Sequence, residues 1–192
     1  MSDVPPVVPI RRVVTGHDEN GKSCVSFDGP APMVRESAFQ LGTNFTDMWV
    51  IDGFPADVET QSDPTVRPFQ FEPPKVGAVM RVIQSTARRP DYDPELDTYV
   101  VPVQPAKMTE DGTWERGGQN VYTTRIHKSR TLDYGVMLSG KRTLILDDGE
   151  YDLEAGDIVI QIGSWHSWSN AEDDSLMAFV MLDALFEEEP SI

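Results

Sequence analysis

The chain has 192 residues, with 16 lysines and arginines against 32 aspartates and glutamates, for a formal net charge of −16. That length suits one domain with a sizeable core. The acidic excess repels phosphate backbones and anionic lipid, and no apolar run approaches the ~18 residues of a membrane helix. The composition therefore argues against nucleic acid and membranes as partners.

The cysteine content and the N-terminal residues indicate the compartment. Cys24 is the only cysteine, so an intramolecular disulfide framework is excluded. The N-terminus is rich in proline and lacks the apolar stretch of a secretory signal peptide. We expect the protein to be cytoplasmic.

The first segment, residues 1–28, is predicted to be an extended arm followed by a β-hairpin. Prolines dominate residues 1–9, which favours an extended chain. Two short apolar runs then flank a polar turn that ends in Asn20-Gly21, and this dipeptide is a strong hairpin signal.

Residues 29–120 are predicted to form the first part of the fold from short strands and loops. Apolar clusters such as 45–51 and 79–83 alternate with prolines and aspartates, which disfavour long helices. Residues 87–118 form a long polar connection with several prolines. It is either a lid over a binding site or a plain surface excursion, and we favour the second interpretation.

The segment 121–186 carries most of the strand signals of the chain. Polar turns separate five of these signals, which fall at 120–127, 133–138, 141–146, 157–161 and 176–182. Many short strands joined by polar turns predict an all-β sandwich or barrel. No internal repeat is evident, so we expect one domain overall, and residues 187–192 are expected to be an acidic, solvated tail.

Two motifs in this C-terminal half resemble the paired motifs of the cupin superfamily. The first has its key positions at His127, Ser129, Asp133 and Gly140, and the second at Gly156, Asp157, Gly163, His166 and Asn170. Three residues depart from the family pattern: Ser129 stands for a histidine, Asp133 for a glutamate and Gln161 for a proline. The resemblance implies a small single-domain protein with a double-stranded β-helix, the jelly-roll barrel.

Three side chains are candidate catalytic residues and metal ligands. The resemblance implies that His127, Asp133 and His166 point into the barrel, where two imidazoles and a carboxylate suit one divalent ion such as Fe, Mn, Ni or Zn. Ser129 is a poor ligand and leaves a position open to water or substrate. In the alternative interpretation, His127 is a core histidine and Asp133 caps the bend before the next strand.

Further residues are candidates for substrate binding. Alternation along a strand puts Arg125 and Ser129 on the same face as His127, and a buried guanidinium requires an anionic or carbonyl partner. Trp168 and Met137 follow the motif residues on the inward face, where they line a cavity or simply fill the core. Tyr134 is a weaker candidate, because the same alternation can turn it to the outer face.

The resemblance leaves three functions open. The first is a metal-dependent enzyme acting on a carbonyl or enol group of an aromatic or polyketide-like small molecule, as a decarboxylase, isomerase, dehydratase, cyclase or oxygenase. The second is a metal-free lyase or cyclase with His127 or His166 as general base, Asp133 orienting it and Arg125 stabilising an oxyanion. The third is a non-catalytic module that binds a sugar or another small molecule.

The resemblance also bears on assembly. Cupins commonly pair through N-terminal strands, and the arm and hairpin of residues 1–28 are compatible with such a contact. We therefore expect a homodimer.

Overall fold

The computed structural model describes residues 7–37, 40–58, 62–110 and 112–185. Within them the chain forms only strands: β1 (Arg11–His17), β2 (Ser23–Pro30), β3 (Val34–Glu36), β4 (Thr43–Ile51), β5 (Ala78–Ser85), β6 (Lys107–Met108), β7 (Trp114–Glu115), β8 (His127–Lys128), β9 (Thr131–Ser139), β10 (Lys141–Leu146), β11 (Gly149–Glu154), β12 (Ile158–Ile162), β13 (Ser167–Asn170) and β14 (Ser175–Asp183). The predicted acidic tail and the first six residues of the arm lie outside this part of the chain. The described residues include no helix that could cross a membrane.

Two antiparallel sheets enclose the core. One has six strands in the order β12-β9-β14-β5-β4-β3, and the other has three in the order β11-β10-β13. Both contribute to the apolar cluster between them: Val50, Val79, Met137, Leu144, Trp168, Met177, Phe179 and Met181. The all-β class and the cupin-type jelly roll predicted from the motifs are confirmed.

Strand β9 shows how the sequence produces this arrangement. Its side chains alternate, so that Asp133 and Met137 are buried while Tyr134 and Leu138 are exposed. Gly135 lies between the two buried residues, and a Cβ there would approach the Phe179 ring to 3.0 Å. The small residue therefore makes room for an aromatic side chain in the core.

The predicted N-terminal hairpin is present as β1 and β2. Asp18 closes its turn, because Oδ1 accepts hydrogen bonds from the backbone N–H groups of Asn20 (2.8 Å) and Lys22 (2.9 Å). Gly21 has φ +73°, the left-handed conformation that glycine adopts without strain. The contribution of this hairpin to a homodimer stays a prediction.

The strand predicted at 120–127 is wrong for most of its length. Asn120 Oδ1 accepts from the backbone N–H of Tyr122 at 2.9 Å and folds this stretch into a turn, so that the strand β8 begins only at His127. The segment 87–118 also differs from a featureless connection. It contains β6 and β7, and β7 pairs with β8 in a small third sheet beside the histidine motif.

The glycine of the first motif lies at a crowded turn. Gly140 has φ +71°, and a Cβ on it would be 1.8 Å from the carbonyl oxygen of Asp174. We expect Gly140→Ala to lower the free energy of unfolding, measured in urea, by more than the about 1–3 kcal/mol of left-handed strain alone. Gly21→Ala is the matched control, because its φ is +73° but no atom lies within 4 Å of the added Cβ. Equal losses in the two variants would contradict the clash.

Candidate functional site

Two buried histidines lie side by side at the centre of the site. The backbone N–H of His127 donates to the carbonyl of His166 at 2.8 Å, and the reverse bond is 2.9 Å. This bridge joins the first residue of the first motif to the residue just before β13, and the two ring centroids lie 4.3 Å apart. The fold thus brings together the histidine pair that the resemblance to the cupin motifs implied.

Each imidazole is oriented by a backbone carbonyl. Nδ1 of His127 lies 2.8 Å from the carbonyl oxygen of Arg125, and Nδ1 of His166 lies 2.9 Å from that of Ser164. Because a carbonyl only accepts, Nδ1 carries the hydrogen in both rings and Nε2 is the nitrogen available to a ligand. Gln161, at the position where the family often has proline, donates to Ser164 Oγ at 2.8 Å and braces the same turn.

Burial keeps both rings neutral. It lowers the pKa of His127 to about 4 and that of His166 to about 3, because a charged imidazole would lose its hydration. The positive charges of Arg125 and Arg142 add to the lowering for His127, and the neighbouring His127 adds to it for His166. At neutral pH the site therefore presents two uncharged imidazoles.

Asp133 lies on β9 in the six-stranded sheet, whereas His166 directly precedes β13 of the three-stranded sheet. Asp133 is buried, its Oδ1 has no hydrogen-bond partner within the described residues, and burial raises its pKa to about 6 against the opposing effect of a hydrogen bond from Thr131. Ser129 is bonded to Thr131, with the two hydroxyl oxygens 2.7 Å apart. No three histidine, cysteine, aspartate or glutamate side chains of the described chain cluster closely enough to hold a metal ion. Two of the three predicted metal ligands, His127 and His166, thus lie side by side. Asp133 lines the same cavity but does not complete a group of three ligands.

The site consists of two connected cavities. The smaller one, the inner pocket, has a volume of about 60 Å³ and is lined by Gln40, Phe45, Phe71, Arg81, Ile83, Thr124, His127, Ser129, Asp133, Arg142, His166, Trp168, Phe179 and Met181. The larger one, the outer chamber, measures about 640 Å³ and is lined chiefly by residues 35–37 and 69–75 with Glu110, Thr113 and Arg125. The two meet at Gln40, Phe45, Phe71, Thr124 and His127.

Arg142 is a pocket residue that the motif spacing did not indicate. Its side chain is 2% exposed, and its Nε and Nη1 have no hydrogen-bond partner in the described part of the chain. The guanidinium lies 5.5 Å from the centre of the Trp168 ring. Burial lowers its pKa to about 10, so it is still charged at neutral pH. Alternation along β10, which buries Leu144 and Arg142 on one face, is the sequence signal that could have found it.

Arg81 is also buried in the pocket wall, but its hydrogen bonds are satisfied. Its Nε donates to Asp47 at 2.6 Å, Nη1 to the carbonyl of Phe71 at 3.0 Å and Nη2 to that of Gln70 at 2.8 Å. The guanidinium also lies 4.5 Å from the centre of the Phe69 ring. Arg81 therefore anchors the aromatic segment that separates the two cavities.

The other predicted binding residues fall in different places. Trp168 lines the inner pocket, with its ring edge-on to that of His166 at 6.0 Å. Met137 is buried in the apolar core and is not among the described residues that line either cavity. Tyr134 is 42% exposed on the outer face, because its neighbour Asp133 takes the inward position. Arg125 lies at the outer chamber, paired with Glu115, instead of facing inward beside His127.

Comparisons with known proteins agree with the motifs. No family model matches the chain. A phomopsin biosynthesis cluster protein of Diaporthe leptostromiformis is 28% identical over 181 residues, covering 90% of this chain and 78% of that protein. A cupin-domain-containing oxidoreductase of Hypocrea virens is 32% identical over 68 residues, 35% of each chain. The solved cupin domain of Schizosaccharomyces pombe Cnp3 aligns with a TM-score of 0.41 at 9% identity, over 90% of this chain and 87% of its own, too distant to bear on function.

The histidines of the two motifs lie side by side inside an antiparallel jelly roll, as the resemblance to the cupin motifs implied. The chain thus carries both cupin motifs on an antiparallel jelly roll, and it is similar to cupin-domain-containing oxidoreductases over about a third of its length.

Proposed function

We propose that this protein is an enzyme that moves a proton at the carbon next to a carbonyl group of a small aromatic or polyketide-like molecule, by acid–base chemistry of its own side chains. One observation carries the proposal: two buried, neutral imidazoles with free Nε2 atoms share a pocket with the buried charge of Arg142. A base beside a fixed positive charge is the combination that enolisation needs.

The proton transfer follows from these groups. Nε2 of His166 or His127 takes the proton from carbon, and the electron pair of the broken C–H bond moves to the carbonyl oxygen to give an enolate. Arg142 stabilises the negative charge on that oxygen, in a pocket where water does not screen it. The negative charge of the enolate in turn stabilises the imidazolium beside it, which offsets the lowering of the histidine pKa by burial. Delivery of the proton to the oxygen or to a different carbon completes an isomerisation, whereas departure of a leaving group from the β-carbon, with the carbonyl re-formed, completes an elimination.

The size of the site and the relatives support a small-molecule substrate. The outer chamber lies within the ~300–1,000 Å³ range of ordinary ligand sites and has three phenylalanines in its wall, Phe45, Phe69 and Phe71. The matching proteins of Diaporthe leptostromiformis are named for a biosynthesis cluster. Both features favour an enzyme over a structural protein. Measured turnover of a substrate would distinguish an enzyme from a non-catalytic module that only binds a small molecule.

A metal-dependent enzyme, of the oxygenase or oxidoreductase type, is the second candidate. The hydrogen bonds from both Nδ1 atoms to carbonyls are the arrangement that usually orients metal-bound histidines. His127 and His166 would hold such an ion, and Asp133 is the third predicted ligand. The donor set fits only in part, because Asp133 is not grouped with the two rings. Several relatives are named as oxidoreductases, which favours this candidate.

Deuterium exchange tests the proposal. Chelator-treated protein in D₂O is mixed with a panel of enolisable aromatic ketones and keto acids, and loss of the α-proton signal is followed by NMR. We expect exchange without added metal, and parallel samples receive Fe(II), Mn(II), Ni(II) or Zn(II). Exchange that requires one of these ions would support a metal-dependent enzyme, and no exchange in any sample would contradict the proposed proton transfer.

A further inference from the structure

The inner pocket contains most of the unsatisfied polar atoms in the protein interior. Within the described residues, six buried side-chain nitrogens and oxygens have no hydrogen-bond partner, and four of them belong to pocket residues: Nε and Nη1 of Arg142, Oδ1 of Asp133 and Oε1 of Gln40. Buried polar groups are normally paired, since leaving one unpaired costs about 1–3 kcal/mol. Their concentration around one cavity indicates a ligand with matching groups.

The unpaired donors belong to Arg142, a buried cation that forms no ion pair with any of the described residues. Asp133 lines the same pocket but is not its partner among the described residues, since Nε and Nη1 of the arginine and Oδ1 of the aspartate all lack a hydrogen bond. Arg81 in the same wall provides the contrast, because it has Asp47 and two carbonyls. A buried guanidinium is stabilised by an anionic acceptor, and a carboxylate matches it best among organic groups.

The unpaired acceptors require a donor on the same ligand. Gln40 has its orientation fixed, because Nε2 donates to the carbonyl of Tyr122 at 2.9 Å and to Oδ1 of Asn170 at 3.0 Å. Its Oε1 is therefore left for the pocket, as is Oδ1 of Asp133. A hydroxyl or enol O–H near the carboxylate would satisfy either oxygen.

The volumes of the two cavities indicate which end of the ligand each cavity holds. The inner pocket, about 60 Å³, has roughly a tenth of the volume of the outer chamber and holds most of the unsatisfied polar atoms, so it suits the small polar end of a ligand. The outer chamber, about 640 Å³, has room for the ring against Phe45 and Phe71. The ligand therefore enters with its polar end first.

We propose that the substrate is an aromatic hydroxy or enol acid whose carboxylate binds Arg142 and whose O–H donates to Gln40 or Asp133. This inference rests on the proposed function and narrows it to a substrate class in which the carboxylate is the carbonyl group: its neighbouring carbon loses the proton, and its oxygens receive the negative charge that Arg142 stabilises. The buried positive charge of Arg142 attracts the carboxylate, because the chain as a whole has a net charge of −16 and repels organic anions elsewhere.

Calorimetric binding of three probes tests the inference without any turnover: mandelate, phenylacetate, which lacks the hydroxyl, and mandelamide, which lacks the negative charge. We expect mandelate to bind at least about tenfold more tightly than mandelamide, the ratio expected for one charge-assisted hydrogen bond, with phenylacetate between them. Equal binding of acid and amide, or no binding of any probe at millimolar concentration, overturns the substrate class. Equal binding of mandelate and phenylacetate overturns the role of the hydroxyl.

Arg142→Met removes the charge but keeps an apolar side chain in the pocket. We expect the preference for mandelate over mandelamide to fall to about onefold, while the melting temperature of the free protein does not decrease, because an unpaired buried charge is removed. Arg11→Met, at an exposed arginine paired with Asp28, is the control and keeps the preference. An Arg142→Met protein that keeps the preference for mandelate overturns the role of Arg142.

If Arg142→Met does not fold, the ratio of mandelate to mandelamide affinity in the wild type still tests whether the site selects an acid. Deuterium exchange that persists without any acid preference would refute the substrate class while leaving the proposed function standing.

Discussion

Replacing His166 with glutamine lowers the rate of deuterium exchange by about 10²–10⁴-fold, the usual contribution of a positioned general base. Glutamine keeps a polar side chain of similar length but has no nitrogen that accepts a proton at neutral pH. The same replacement at His127 should have an effect of the same kind, because the two rings are 4.3 Å apart and line one pocket. NMR rates on chelator-treated protein measure both.

The chain offers a matched control for this experiment. His17 lies at the exposed end of the N-terminal hairpin, so His17→Gln should leave the exchange rate unchanged. Circular dichroism and the melting temperature of each variant separate lost chemistry from lost folding. A folded His127→Gln, His166→Gln double variant with the wild-type rate would remove both histidines from the mechanism.

The histidine pair could be predicted because motif spacing carries three-dimensional information in a β-barrel. The glycines of both motifs occupy turns, with φ +71° at Gly140 and +64° at Gly163, and those turns fix the register of the strands between them. His127 and His166 therefore meet although 38 residues separate them in the chain. The resemblance to the cupin motifs also implied that Asp133 faces the same interior.

Arg125 shows where reasoning from alternation fails. It was expected to face inward because a continuous strand was assumed through residues 120–127. The turn at Asn120 breaks that strand, so the side chain reaches Glu115 on β7 instead. Such a turn depends on one side-chain hydrogen bond, which a pattern of apolar residues does not reveal.

Arg142 is the reverse case, a residue that faces the pocket although sequence analysis did not predict it there. Its place on the inward face of β10 could be read from the strand, but a buried arginine without a partner contradicts the general rule that buried charges are paired. A sequence pattern therefore favours placing such a residue at the surface. Only the packing of the two sheets reveals that its guanidinium lies against Trp168 with unsatisfied donors.

Arg81→Met should destabilise the protein by about 3–5 kcal/mol, the usual cost of breaking a buried ion pair from one side. The loss is large because Asp47, only 10% exposed, would keep a buried charge without its arginine, and the carbonyls of Gln70 and Phe71 would lose their donors. Urea unfolding measures the change. Arg67→Met is the control, since its ion pair with Asp52 is partly exposed and should cost no more than about 1 kcal/mol.

The two buried arginines of the pocket should therefore respond in opposite directions to the same substitution. Arg81→Met removes a satisfied charge and destabilises the fold, whereas Arg142→Met removes an unsatisfied one and leaves the free protein at least as stable. A loss of several kcal/mol in both variants would mean that Arg142 is a structural residue with partners in solution. Opposite responses would identify Arg81 as the anchor of the aromatic wall and Arg142 as a charge held unpaired for a ligand.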